Sequence, residues 1–169
     1  MKAETNIIND FSNYSNWLHS LMDIDELLWS QPIASGKWSV SEIIAHIINW
    51  DRHLLTEVIP SVLKGEGMKF PDFDSYNKIA SDYAISGIPK SKLLKEGIDI
   101  RELLVKRLNE LPTETLNKSV ASNGVTHCPH TGTPYSLIYI VKEFTYHDNH
   151  HKGQINQFLS EKGWYVNGI

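Results

Sequence analysis

Residues 147 to 155 read HDNHHKGQI, placing three histidines and an aspartate in five positions, followed by Gly153, Gln154 and Ile155. Neutral imidazole is a common ligand for divalent transition metals. His147 and His151 are four apart, and in a helix such positions lie about 40° apart around the axis and about 6 Å along it. Both rings can then reach one ion. The zinc-protease helix motif H-E-x-x-H uses the same spacing, but Asp148 stands here in place of its glutamate base. The shorter acid weakens any protease analogy. His150 falls about 100° off the His147/His151 line, which places it at a rim or on the surface.

A pair of core histidines bonded to polar neighbours would give the same local pattern, so a third ligand from elsewhere is needed. His46, in EIIAHIINW, sits beside Ile43, Ile47 and Trp50 on the margin of an apolar helix face. Alone it reads as a core histidine satisfied by its neighbours. In a helix bundle, however, the polar middle of one seam faces the middle of another, and ligands converge there. Three histidines from two helices would leave coordination positions open for water or substrate. The stretch THCPHTG offers a competing set, His127, Cys128 and His130. Thiolate plus imidazole suits zinc, but these residues are too close together in sequence to close a site unaided. Cys128 follows no recognisable activating pattern beside Pro129, so it is not read as a nucleophile. His19 and His53 lack companions on a seam and read as surface residues.

Four periodic segments must position these groups. The first runs from about Thr5 to Trp29, with Ile8, Phe11, Tyr14 (or Ser15), Leu18, Leu21, Met22 and Leu28 near helical spacing. Ser39 and Glu42 open the second with a capping-box spacing. Val40, Ile43, Ile44, Ile47, Trp50 (or Asp51) and Leu54 continue it as a stripe, and Pro60 kinks or ends it. The third spans about Lys90 to Leu111, with Leu93, Leu94, Ile98, Leu104 (or Arg101), Val105 and Leu108 on one side. The fourth runs from about Thr133 to Lys162, stopped by Gly163. Its seam is Leu137, Ile140, Val141 and Phe144, resuming at Ile155 and Phe158. The positions between, 147, 148, 151 and 154, hold His147, Asp148, His151 and Gln154. Polar groups in the middle of a seam cost stability unless they find partners.

Lys64 to Pro89 reads as a long connection with room for a short helix near Ser75 to Tyr83, and connections of that length are often functional. Residues 112–134 read as loop or a short hairpin. The expectation is an all-α, four-helix bundle with a long crossover between its second and third helices, which then run parallel, in a single domain over 1–169. A net charge of −4 and no Lys/Arg block argue against nucleic acid or membrane partners. One cysteine permits no intrachain disulfide, and the polar N-terminus lacks a signal-peptide core, so a cytoplasmic protein is expected. Trp17, Trp29 and Tyr83 are candidates for exposed aromatic surface, from which a homodimer is expected.

KWSVSEIIAHIINWD (residues 37–51) and HDNHHKGQI together resemble the DinB/YfiT-like family, with its W-S-x-x-E-x-x-x-H and H-x-x-x-H-x-x-Q-I motifs about 100 residues apart. The resemblance covers nearly the whole chain. It implies a four-helix bundle, often dimeric, holding a divalent metal (nickel, zinc, iron or manganese) on His46, His147 and His151. It also implies a metal-dependent hydrolase, or a transferase using a low-molecular-weight thiol, acting on a small-molecule substrate. Asp148 and Gln154 are candidates to support the ligands, Asp148 by orienting a ring or accepting a proton. A non-catalytic metal- or small-ligand-binding protein of the stress-associated kind is the competing reading, because no unambiguous general base accompanies the histidines.

Overall fold

A computed structural model describes residues 2–165. In chain order its helices are α1 (Lys2–His19), α2 (Glu26–Ser30), α3 (Val40–His53), α4 (Ile59–Leu63), α5 (Phe73–Ala84), α6 (Lys90–Asn109), α7 (Thr113–Asn117) and α8 (Leu137–Glu161). Among the described residues extended backbone pairs only as isolated bridges, such as His127 with Pro134 in the loop before α8. The protein is a four-helix bundle of α1, α3, α6 and α8.

The relative directions follow from which ends share a core. One apolar cluster joins the end of α1 (Trp17, Leu18) to the beginnings of α3 (Ile43, Ile44) and α6 (Leu93, Leu94) and the end of α8 (Phe158, Leu159). The other joins Ile8 and Phe11 of α1 to Leu54, Leu104, Leu137 and Val141. Hence α3 and α6 run parallel, antiparallel to α1 and α8, as the long crossover requires. Gly97 is what lets α6 lie so close to its neighbours. A Cβ there would stand 2.9 Å from Leu18 Cδ1 and 3.1 Å from Ile48 Cδ1.

Local signals set most helix ends. The Ser39 hydroxyl accepts from the Glu42 amide at 3.3 Å, and the Glu42 carboxylate accepts from the Ser39 amide at 2.8 Å, closing the capping box at the start of α3. Pro60 does not end that helix. The chain passes through a π-helical turn, Leu54–Val58, before α4, and the wider turn accommodates a residue that cannot donate a backbone bond. After α8, Gly163 at φ +76° allows Trp164 N–H to reach the Leu159 carbonyl at 2.9 Å, a Schellman-type stop.

Three expectations are corrected. The segment from Thr5 to Trp29 is two helices, because α1 ends at His19 and Asp25 restarts the chain by accepting from the Leu27 amide at 2.8 Å. Apolar spacing persists across the break, since Leu21 and Trp29 both stay buried. Trp17 and Trp29 are each only 4% exposed and belong to the core, so of the aromatic surface expected for a dimer only Tyr83 remains. His53 is buried too. Its Nε2 donates to the Lys69 carbonyl at 2.7 Å, and its ring packs against Trp50, Phe70 and Tyr76.

Both alternatives at all three ambiguous seam positions prove buried, Tyr14 with Ser15, Trp50 with Asp51 and Leu104 with Arg101. Arg101 has no exposed surface, and it ties its own α6 to the other three bundle helices at the level where the two apolar clusters meet. Its Nε and Nη2 donate to Asp51 at 2.7 and 2.9 Å, Nη2 also reaches Asp148 at 2.8 Å, and Nη1 donates to the Phe11 carbonyl at 2.8 Å. The guanidinium lies over the Phe11 ring, 3.7 Å from its centroid. Burial alone would lower its pKa, but the two carboxylates push it above its ordinary value and keep it charged.

Candidate metal centre

His46 comes from the middle of α3, and His147 and His151 from successive turns of α8, where the helical seam turns polar. These two helices meet along only a short stretch of the bundle, and a cavity opens beside it. His46 Nε2 lies 3.0 Å from His147 Nε2, and His151 Nε2 lies 3.1 Å from the same atom. Three ring nitrogens therefore point at one another. Among the described residues this is the only group of three or more His, Cys, Asp or Glu side chains placed to share an ion.

The far side of each ring explains why. His46 Nδ1 is 2.9 Å from Asn77 Oδ1, and His151 Nδ1 is 2.9 Å from Gln154 Oε1. Both acceptors are oxygens, so both Nδ1 atoms carry the hydrogen and both Nε2 atoms present lone pairs. His147 Nδ1 faces Asp148 Oδ1 at 3.8 Å, and that oxygen is buried without a hydrogen-bond partner. The two lone pairs converge on His147 Nε2, which satisfies one of them when it carries its ring's proton, whereas a cation between the rings satisfies all three nitrogens. Atoms bound at about 2.1 Å to one ion, at right angles to each other, are about 3.0 Å apart. The observed spacing fits that arrangement, and the neutral donor set suits a divalent transition metal.

Electrostatics agree with neutral rings. Burial, reinforced by the neighbouring His147, lowers His46 to about 3 and His151 to about 4. A ring that stays unprotonated keeps its lone pair for a metal. The His46 ring also packs on Trp38, 5.1 Å between centroids, which fixes its plane.

The structure brings together four of the polar groups expected on α8, with qualifications. Gln154 contacts His151 through its Oε1. Asp148 is 4% exposed and turned toward Arg101, so its firm bond is to the buried cation rather than to a ligand ring. His150 is exposed, its ring 5.4 Å from that of His151, at the rim. Asn77 was not anticipated. It sits on α5 inside the long crossover, and its Oδ1 accepts from both His46 and Trp50 Nε1, the latter at 3.0 Å. Nothing in its local sequence marks it; only the length of the crossover hinted at a role.

The competing loop set does not form a metal site. His127 is exposed and 2.9 Å from the Thr126 hydroxyl, and His130 is exposed. Cys128 is nevertheless in an activating setting that sequence did not reveal. It is 8% exposed and lines the same cavity as His46 and His147. Hydrogen bonds from the Tyr139 and Thr131 hydroxyls and from nearby amides hold its thiol down, to about 6.

The sequence pattern of the DinB superfamily matches residues 12–155, most of the chain and both histidine-bearing helices. The chain belongs to the DinB superfamily. No curated protein matches it. Its fold resembles that of a solved structure, YfiT from Bacillus subtilis, with a TM-score of 0.73 over 97% of this chain and 90% of that one, at 14% identity. YfiT is described as a probable metal-dependent hydrolase with an unusual four-helix bundle topology. This DinB superfamily chain shares that topology. Among its described residues no helix is long and apolar enough to cross a membrane.

Proposed function

We propose that this protein is a metal-dependent hydrolase acting on a small molecule, with His46, His147 and His151 as the ligands. One observation carries the reading: three Nε2 atoms converge while hydrogen-bond acceptors hold Nδ1 of His46 and His151. A divalent ion on three neutral imidazoles keeps its positive charge and makes bound water easier to ionise near neutral pH. The chain does the rest. Asn77 and Gln154 fix tautomer and ring orientation, and Asp148 steadies the His147 side of the cluster while anchored by Arg101. Aromatic side chains line much of the cavity, and their low polarity strengthens the electrostatic contacts made against them. Of nickel, zinc, iron and manganese, the first three suit imidazole ligands best, whereas manganese favours oxygen.

A thiol transferase would use the same centre with a thiol in place of water. No Lys or Arg is among the described residues lining the cavity, so its walls offer no partner for the carboxylates of an anionic thiol. That favours hydrolysis. A purely binding role would leave the open coordination positions without chemistry. Metal analysis of the purified protein, followed by turnover assays on neutral esters and amides with and without added thiol, separates the three. Turnover without thiol supports the hydrolase; turnover only with thiol replaces it by the transferase. Stoichiometric metal with neither activity favours the binding protein. Assembly as a homodimer and a single domain belong to the same proposal. Ile79 and Tyr83, exposed four residues apart on α5, supply apolar surface for the dimer, and sedimentation tests it.

A further inference from the structure

The cavity beside the histidines has a volume of about 430 Å³, room for a molecule of metabolite or drug size. One part of its wall is an aromatic cluster centred on Trp50, whose ring centroid is 5.4 Å from Phe73 and 6.3 Å from both Phe70 and Phe144. Tyr135 and Tyr139 add a second pair, edge to face at 5.6 Å. Aromatic faces are negatively polarised, so they attract a cation and give an anion nothing. Apart from the histidines, the charge-bearing side chains on this wall are Cys128 and Glu143. Glu143 is exposed, at the mouth, and takes part in no ion pair among the described residues.

Position along α8 adds a distance. Tyr139, Glu143 and His147 follow one another at four-residue spacing, so they lie along one face of the helix, each about 6 Å from the next. A carboxylate and aromatic side chains therefore stand about one helical turn from the converging imidazoles. We propose that the cavity takes an amine: a substrate with an aromatic or branched apolar body and a positively charged nitrogen about one turn from the bond that reacts. The proposal rests on the reading of the histidines as the reacting centre and names its substrate class. The ammonium sits against Glu143 and the ring faces, the apolar body fills the space beside Trp50, and the uncharged reacting group reaches the imidazoles. Away from the imidazoles these walls hold no Lys or Arg to meet a phosphate ester or a polycarboxylate.

The test measures binding without turnover. Three probes of matched size, 2-phenylethylammonium, 2-phenylethanol and phenylacetate, are titrated by calorimetry into protein freed of metal by chelation. Cys128, the only cysteine in the chain, reports occupancy of the cavity independently through the rate at which iodoacetamide alkylates it. The ammonium is expected to bind roughly fivefold more tightly than the alcohol and to slow alkylation at the lowest concentration, with phenylacetate weakest. Glu143→Gln, at an exposed position, should erase most of the difference between ammonium and alcohol. Equal binding of ammonium and alcohol, preference for phenylacetate, or no binding of any probe overturns the proposal. Amine-selective binding by a chain that takes up no metal supports amine recognition and overturns the metal reading instead. A chain that binds metal but prefers the anion does the reverse.

Discussion

Asp148 follows His147 on α8, and with that one step the core passes from one polar cluster to another of opposite design. Around Arg101 the protein supplies its own cation: a guanidinium is held by two carboxylates and a carbonyl and is sealed from solvent. Around His147 the cluster is open: three imidazole Nε2 atoms converge, two of them with lone pairs fixed inward, with a cavity beside them and no Lys or Arg among them. Both clusters are buried polar groups inside a helical bundle, and burial by itself does not separate structure from function. What separates them is whether the protein supplies a cation. The Arg101 cluster carries its own, with only Asp148 Oδ1 left unpaired beside His147, whereas the histidine cluster brings its ring nitrogens together without one.

The comparison breaks first at Arg101. Arg101→Ala would leave Asp51 and Asp148 buried without their cation, at a cost of about 3–5 kcal/mol in unfolding free energy. Urea denaturation measures it, and a loss below about 1 kcal/mol would mean that this cluster does not close the core. On the open side, His46→Ala, His147→Ala and His151→Ala should each remove most bound metal while circular dichroism stays helical. His150→Ala should keep its metal. Equal, modest losses for His150→Ala and His151→Ala, measured as metal per chain, would reduce the centre to a general histidine patch.

Smaller effects sharpen the boundary. Asn77→Ala and Gln154→Ala remove the acceptors behind two rings and should weaken metal binding roughly tenfold, read by chelator competition, with little change in the stability of the metal-free protein. The smallest effect concerns protons. Folded His46 titrates at about 3 and His151 at about 4, against 6.5 for an ordinary ring, because burial disfavours the charged form. Between these values and 6.5 the unfolded chain binds more protons than the folded one. The stability of the metal-free protein should therefore be full above pH 6.5 and fall as pH drops toward 4. His46→Ala should flatten that slope in thermal melts; an unchanged slope would show that His46 is not a neutral ring in the folded state.

Much of this architecture was legible in the residues themselves, for local reasons. Helical period and chain punctuation determine α3, α6 and α8 to within a few residues, because a capping box at Ser39 and a positive-φ glycine at Gly163 act on the backbone beside them. The four-residue spacing of His147 and His151 determines that both rings share a helix face. Sequence could not choose between Trp50 and Asp51, or between Leu104 and Arg101, since neighbours on a helix are both near the seam and only packing decides which are covered. Here both are, because Asp51 and Arg101 find each other across two helices. Likewise the burial of Trp17, Trp29 and His53, the arrival of Asn77 from the crossover, and the placement of Cys128 in the cavity wall all depend on contacts between residues far apart in the chain. Periodicity specifies what each helix can bury; which partner meets it, and at what distance, is settled only when the helices pack.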